Sequence, residues 1–313
     1  MRKLSTLFFV LIASISLMAT EGALNGKFTI NANGDQIVFS QGNLQYVGTW
    51  QFATNQWDYF GTSQSDNHRD LFGWGTGDAP NRVGASISEY STFTDWGTNA
   101  ITNGGNEANL WRTLTKDELF YLFYGRVNAN ILFGLGSVNG VNGTILLPDN
   151  WVLPTGASFT ASTTQGLADG SGYGSFYFVG IGGNFSHNTY STEQWEVMES
   201  AGAVFLPAAG YSYQTYVYSI GSAGYYWSAT PYYTKFAYYL FFDSSYLMPQ
   251  ATGNMMLPNG QSVRLVQAAS ASDTPSAIDN TSFSTKAVKH IVNGQLLIEK
   301  NGKTYNATGV EVN

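Results

Sequence analysis

The chain contains no cysteine. That absence removes disulfides, thiol catalysis and thiolate metal sites together. Charge is scarce too: Asp, Glu, Lys and Arg make up 11% of the residues, and the formal net charge is −7. No basic stripe of the kind that nucleic acid requires is present. The three histidines, His68, His187 and His290, lie far apart. None has a neighbouring ligand at metal spacing, whereas zinc needs three or four N or S ligands. Calcium needs six to eight oxygens, and Asp66, Asn67, Asp70 and Asp78 show no fixed-spacing loop. There is no Gly-x-Ser-x-Gly elbow and no phosphate loop, and Gly180-Ile-Gly-Gly183 lacks the rest of a dinucleotide fingerprint. Glu193, Glu196 and Glu199 recur every third residue and read as a drifting solvent face rather than a carboxylate pair for glycoside hydrolysis. Asp70 and Asp149 adjoin turn residues, where side-chain capping explains them. No catalytic residue, metal or cofactor is expected.

What is there begins with a secretory pattern. Arg2 and Lys3 precede an apolar run from Leu4 to Ala19, followed by small residues. At about sixteen residues the run falls short of the ~20 that span a bilayer, so residues 1–19 are expected to be a cleaved signal peptide. No other run is long and apolar enough to cross a membrane. The protein is therefore expected outside the cytoplasm, secreted or attached to the outer-membrane surface.

Aromatic residues reach 15% and glycines number 35, a composition that suits a loop-rich β protein. Residues 24–268 form one continuous globular pattern. Short strand candidates dominate it, among them Lys27–Ile30, Gln36–Phe39 and Trp50–Phe52, bounded by turn signals. Two segments carry helix signals. Thr115-Lys-Asp-Glu118 is a capping box, followed by Leu119, Leu122 and Phe123 on one face, with Gly125 as a stop. Ser191-Thr-Glu-Gln194 repeats the device, with Trp195 and Met198 apolar and Gly202 ending the helix. Two helices and many short strands predict an α+β domain. Residues 269–286 are small and polar and read as a linker. Residues 287–313 return to strand order, with Leu296–Glu299 expected to pair with Lys303–Tyr305 across Asn301-Gly302. Gly309–Val312 is a further strand candidate.

The segments Asp70-Leu-Phe-Gly-Trp-Gly75, Leu110-Trp-Arg-Thr-Leu-Thr-Lys-Asp-Glu118, Leu147-Pro-Asp-Asn-Trp151, Ala201-Gly-Ala-Val-Phe-Leu-Pro-Ala-Ala-Gly-Tyr211, Tyr226-Trp-Ser-Ala-Thr230 and Ser262-Val-Arg-Leu-Val266 occur in this order. Together they resemble exported Bacteroidetes proteins related to the Fibrobacter succinogenes major paralogous domain. That group is similar to the C-type-lectin fold in its formylglycine-generating-enzyme variant. The enzyme branch of the fold works with its own cysteines; this chain has none, so the resemblance implies the scaffold without that chemistry. The last 25 or so residues resemble the C-terminal sorting domain of type IX secretion, which implies the secretion machinery as a partner.

One window stands apart. Eleven of the 20 tyrosines fall between Tyr211 and Tyr246. Tyr226, Trp227, Val263 and Leu265 are expected inside. Tyr232, Tyr233, Tyr239 and Tyr246, set among Pro231, Thr234, Lys235, Ser244 and Ser245, are expected to form one exposed aromatic patch, with Lys235 beside it. Alternation at Tyr211/Tyr213 and Tyr216/Tyr218 makes one strand face tyrosine-rich, so Tyr213, Tyr216 and Tyr218 are expected at its rim. Tyrosine supplies rigid area and a hydroxyl at low entropy cost. The resemblance adds that lectin-fold segments of this kind can be targets of diversity-generating retroelements. The resulting expectation is a non-catalytic, lectin-like binder of a glycan or surface protein. A polysaccharide-acting enzyme and a structural adhesin-type subunit are the alternatives.

Overall fold

The structure is a computed structural model that describes residues 21–162, 164–170, 174–179, 184–252, 255–269, 288–292, 295–300 and 303–306. The expected signal peptide, nearly all of the linker, Gly180–Gly183, the Asn301-Gly302 turn and the Gly309–Val312 strand lie outside the described residues. The chain divides into two compact units, residues 1–269 and 270–313.

The larger unit is α+β. Among the described residues its named strands pair antiparallel, apart from one parallel pairing between Phe133–Val138 and Thr189–Tyr190. Both helices start where the sequence signals them. Helix α1, Lys116–Phe120, carries the capping box of Thr115 and Glu118. Glu118 is also held bidentately by Arg112, at 2.7 and 2.8 Å. The chain then widens into a π turn over Tyr121–Gly125 before Arg126 turns extended. Helix α2, Thr192–Ser200, is capped by Ser191 and Gln194, and Gly202 follows it at φ 98°. Glu193 and Glu196 face solvent, as expected. Glu199 does not: it accepts from Gln56 Nε2 at 2.8 Å and Trp195 Nε1 at 3.1 Å, because α2 packs that side against the core.

A three-stranded sheet joins the two ends of the unit, pairing Gln36–Phe39 with Phe28–Thr29 on one side and Val266–Ala268 on the other. A five-stranded sheet runs in the order Ala223–Tyr232, Phe236–Asp243, Tyr246–Ala251, Gly174–Val179, Thr164–Gly170. Side chains along a strand alternate between faces, and in the first three strands of this order both faces are covered. Tyr226, Leu240, Phe242 and Leu247 join Leu119, Leu122 and Phe123 in one core cluster. Tyr225, Trp227 and Tyr239 join Phe72, Trp74, Trp96 and Trp111 in a second. A third cluster seats Trp195 and Met198 of α2 against Ile145 and Phe205. Covering on both sides explains why Tyr-Tyr-Trp and Tyr-Tyr-Leu-Phe-Phe run without polar interruption.

The two turn aspartates do more than cap. Asp149 crosslinks three segments: its carboxylate pairs with Arg126 Nη1 at 3.1 Å and accepts from Thr29 N–H, Thr29 Oγ1 and Gln36 Nε2. Asp70 is buried and pins the 60–70 loop, accepting from the Phe60 N–H and from Gln64 Nε2, both at 2.6 Å. Burial pushes its pKa up to about 6 from 3.8, against the lowering effect of those hydrogen bonds. Between those values the folded state holds the proton more tightly than the unfolded chain. Its contribution is therefore full below 3.8 and is lost as pH rises through 6, a change of order 3 kcal/mol. Asp70→Asn does not titrate. Its melting temperature relative to wild type should rise on going from about pH 4 to about pH 7; a difference that stays constant with pH refutes the buried-charge assignment.

The smaller unit is a three-stranded antiparallel sheet. Gln295–Lys300 pairs with Lys303–Asn306 in the register Ile298↔Tyr305 and Glu299↔Thr304, as the hairpin signal requires. Val288–Val292 pairs along its other edge.

Candidate functional site

The tyrosine-rich window does not fold into the single patch expected of it. Tyr239 is 4% exposed and lies inside the second core cluster, at 6.1 Å from Tyr225 and 6.2 Å from Trp227. Burial pushes its hydroxyl pKa up. The polar residues near it in sequence sit on the turns, while residue 239 lies in mid-strand on a sheet covered on both sides. Tyr232, Tyr233 and Lys235 lie at one end of strand Phe236–Asp243 and Tyr246 at the other. The seven steps of ~3.3 Å from Phe236 to Asp243 place those ends roughly 23 Å apart. Tyr232 is half-buried, its ring against Tyr233 at 4.5 Å and Tyr238 at 5.1 Å. Tyr233 and Lys235 are exposed on the turn itself. Tyr246 is exposed at the far turn, where Asp243 Oδ1 accepts the N–H groups of Ser245 and Tyr246.

The residues expected only at the rim form the coherent surface. Tyr211–Tyr213 and Tyr216–Tyr218 make a two-stranded hairpin in the register Tyr211↔Tyr218, Ser212↔Val217, Tyr213↔Tyr216. Alternation puts all four tyrosines on one face and Ser212 with Val217 on the other. The two-residue loop is Gln214-Thr215, with Gln214 at φ 55°, the positive φ that tight hairpin turns need. Ser212 and Gly260 exchange both backbone hydrogen bonds, at 2.8 and 2.9 Å, and this fastens the outer edge of strand Tyr211–Tyr213 to the domain. Gly260 permits that approach: a Cβ there would lie 2.1 Å from Ser212 Oγ.

The tyrosine face grades from solvent to core. Tyr216 is 65% exposed, and Tyr213 and Tyr218 are also exposed. Tyr211 stacks on Tyr218 at 5.5 Å and packs on Tyr225 at 4.9 Å. Tyr225 in turn meets Phe241 at 5.0 Å. Burial raises the Tyr211 and Tyr225 pKa values, with Tyr218 adding to the first and Asp243 to the second. Tyr211 and Tyr225 are therefore neutral hydroxyls at physiological pH. The result is an aromatic platform, supported from beneath by Tyr225 and Phe241, whose outer rings face solvent. Tyr211, Tyr225 and Phe241 were not singled out as its support. The Tyr-x-Tyr-x-x-Tyr-x-Tyr spacing carried the signal for Tyr211, since a two-residue loop forces it opposite Tyr218.

Among the described residues no group of three or more His, Asp or Glu side chains is arranged to hold a metal. Asp66 lies 3.8 Å from Arg69 and Asp78 lies 2.9 Å from Arg82. No helix among the described residues is long and apolar enough to cross a membrane. No curated protein and no solved structure matches the chain. Residues 184–266, which hold α2, the tyrosine hairpin and strands Ala223–Tyr232, Phe236–Asp243 and Tyr246–Ala251 of the five-stranded sheet, match a family model described as a domain of unknown function, DUF8237.

Proposed function

We propose that this chain is a non-catalytic, exported binding protein that recognises a glycan or a surface protein through the tyrosine face of hairpin 211–218. One observation carries the reading: four tyrosines share one face of a hairpin whose outer edge is hydrogen-bonded to the domain, and three of them are exposed. Exposed aromatic surface is costly to leave in water and marks interaction sites. Tyrosine gives such a site large contact area with few rotors to freeze. A platform already ordered before binding avoids part of the entropy loss of association. The mixture of short antiparallel strands and two helices is in keeping with the C-type-lectin-like scaffold that the motif order resembles. Delivery by a type IX route, with the strands after residue 287 as the sorting module, and diversification of the tyrosine window belong to the same proposal.

The mature protein, labelled and applied to a glycan array and to intact cells, should give a discrete set of positive ligands. Tyr216→Ala and Tyr218→Ala should each weaken those signals by about tenfold or more while changing stability by no more than roughly 0.5 kcal/mol. Val127→Ser, on an exposed apolar residue outside the window, should leave both unchanged. Undiminished binding in the two tyrosine variants removes the hairpin from the site.

A further inference from the structure

The turn that carries Tyr233 and Lys235 forms one lip of a cleft of about 710 Å3, within the ~300–1,000 Å3 common for small-ligand sites. No residue of the tyrosine hairpin lines it. Its floor is apolar and its polar atoms are already engaged. Trp74 lies there with Phe93 at 4.8 Å, and the Trp74 indole N–H donates to Ser228 O at 2.9 Å. The Tyr90 hydroxyl donates to Arg82 O. Leu257 and Ile87 complete the floor. The backbone at the lip is engaged as well: Leu257 N–H donates to Lys235 O at 3.0 Å, and Trp74 N–H to Leu257 O at 2.8 Å. With these backbone groups paired, recognition is assigned to the side chains of the lining.

Those side chains are of three kinds. Ser88, Ser91, Thr92 and Thr234 bring hydroxyls. Lys235 is the one charged residue of the lining, and its ammonium makes no ion pair among the described residues. Tyr233 stands over the lip, 79% exposed, with its backbone at φ 53°. A bulky residue in that region costs about 1–2 kcal/mol. Among the described residues the other non-glycine residues at positive φ are Asn, Gln and Ser. Strain held at the mouth of a cleft, on a side chain with little packing to stabilise it, points to a functional constraint.

We infer that this cleft binds an acidic sugar, of the uronic-acid type, as a site separate from the hairpin. The apolar C–H face of the ring lies on the aromatic floor and Tyr233, its hydroxyls meet the Ser and Thr rim, and its carboxylate pairs with Lys235. The inference does not depend on the hairpin reading.

The test is calorimetric titration of the full mature chain with oligogalacturonate and, for comparison, with a neutral maltooligosaccharide of equal length and an acidic peptide. Oligogalacturonate should bind more tightly than either, and added salt should weaken it. Lys235→Gln should reduce its affinity about tenfold or more and abolish most of that salt dependence. Tyr233→Asn should also reduce affinity, yet melt at the same temperature as wild type or higher, because Asn tolerates positive φ. The inference is overturned by absent binding, by equal affinity for the neutral sugar or the peptide, or by binding that survives both substitutions.

Discussion

Replacing Trp227 with alanine is expected to destabilise the larger unit by about 3–5 kcal/mol, as for other fully buried aromatics, read as a fall in the denaturation midpoint. The side chain is 3% exposed. Its indole N–H donates to Phe72 O at 2.7 Å, and its own N–H donates to Ser262 O at 3.1 Å. It sits edge-on to Tyr239. Truncation therefore opens a cavity between the five-stranded sheet and the long loop region, and removes one of the two donors to the Phe72 carbonyl, which keeps the Gln261 N–H at 2.9 Å. Trp227→Phe separates the two effects: it restores most of the ring and should cost about 1–3 kcal/mol from the lost hydrogen bond and residual cavity. If the alanine variant loses less than about 1 kcal/mol, this face of the sheet is not core. The contrast with Tyr216→Ala, in the same window, is the sharpest check on which tyrosine-rich surfaces bind and which merely pack.

Asp149→Ala should be comparably damaging, at about 3–5 kcal/mol, because it breaks a buried ion pair by removing one partner. The Arg126 side chain is 1% exposed. Burial lowers its pKa to about 10, and Asp149 is the group that opposes that shift. Without the carboxylate, the guanidinium keeps only carbonyl partners, Leu122 O at 2.7 Å and Leu132 O at 3.4 Å, with the Phe28 ring beside it. Thr29 and Gln36 lose their shared acceptor at the same time, so the three-stranded sheet loosens where it meets the π turn. The double variant Arg126→Met, Asp149→Leu should recover much of the loss, since removing both charges removes the desolvation penalty along with the pair. Equal stability of the single and double variants excludes an uncompensated Arg126 as the cause.

Several features were legible because they are local. The two capping boxes place Thr115 and Ser191 at the starts of the helices, since the reciprocal hydrogen bonds involve only four consecutive residues. Strands Gln36–Phe39 and Trp50–Phe52 appear with the bounds that their turn signals set. The pairing of Ile298 with Tyr305 follows from a two-residue loop, which leaves a hairpin little freedom of register. The same rule puts Tyr211 opposite Tyr218 and all four hairpin tyrosines on one side.

Tertiary structure alone decided which of those sides met water. Strand parity assigns Tyr239 to the same face as Trp227, but parity is silent about what covers a face, and here the segments around Phe72, Trp74 and Trp111 do so. The sequence neighbours of Tyr232, Tyr233 and Tyr246 announce turns correctly. They do not reveal that residues 236–243 run as one unbroken strand, which holds the two turns at its opposite ends. Asp149 looked like a turn residue because its long-range partners, Thr29, Gln36 and Arg126, are remote in the chain. Likewise Trp74, Phe93 and Tyr233 come from separated segments, so their cleft exists only once the loops close over the sheet. What the sequence determined by itself was composition, element type and local register, each fixed by interactions over a few residues. Exposure, convergence and the pairing of buried charge depend on which distant segments exclude water from which face, and only the folded chain decides that.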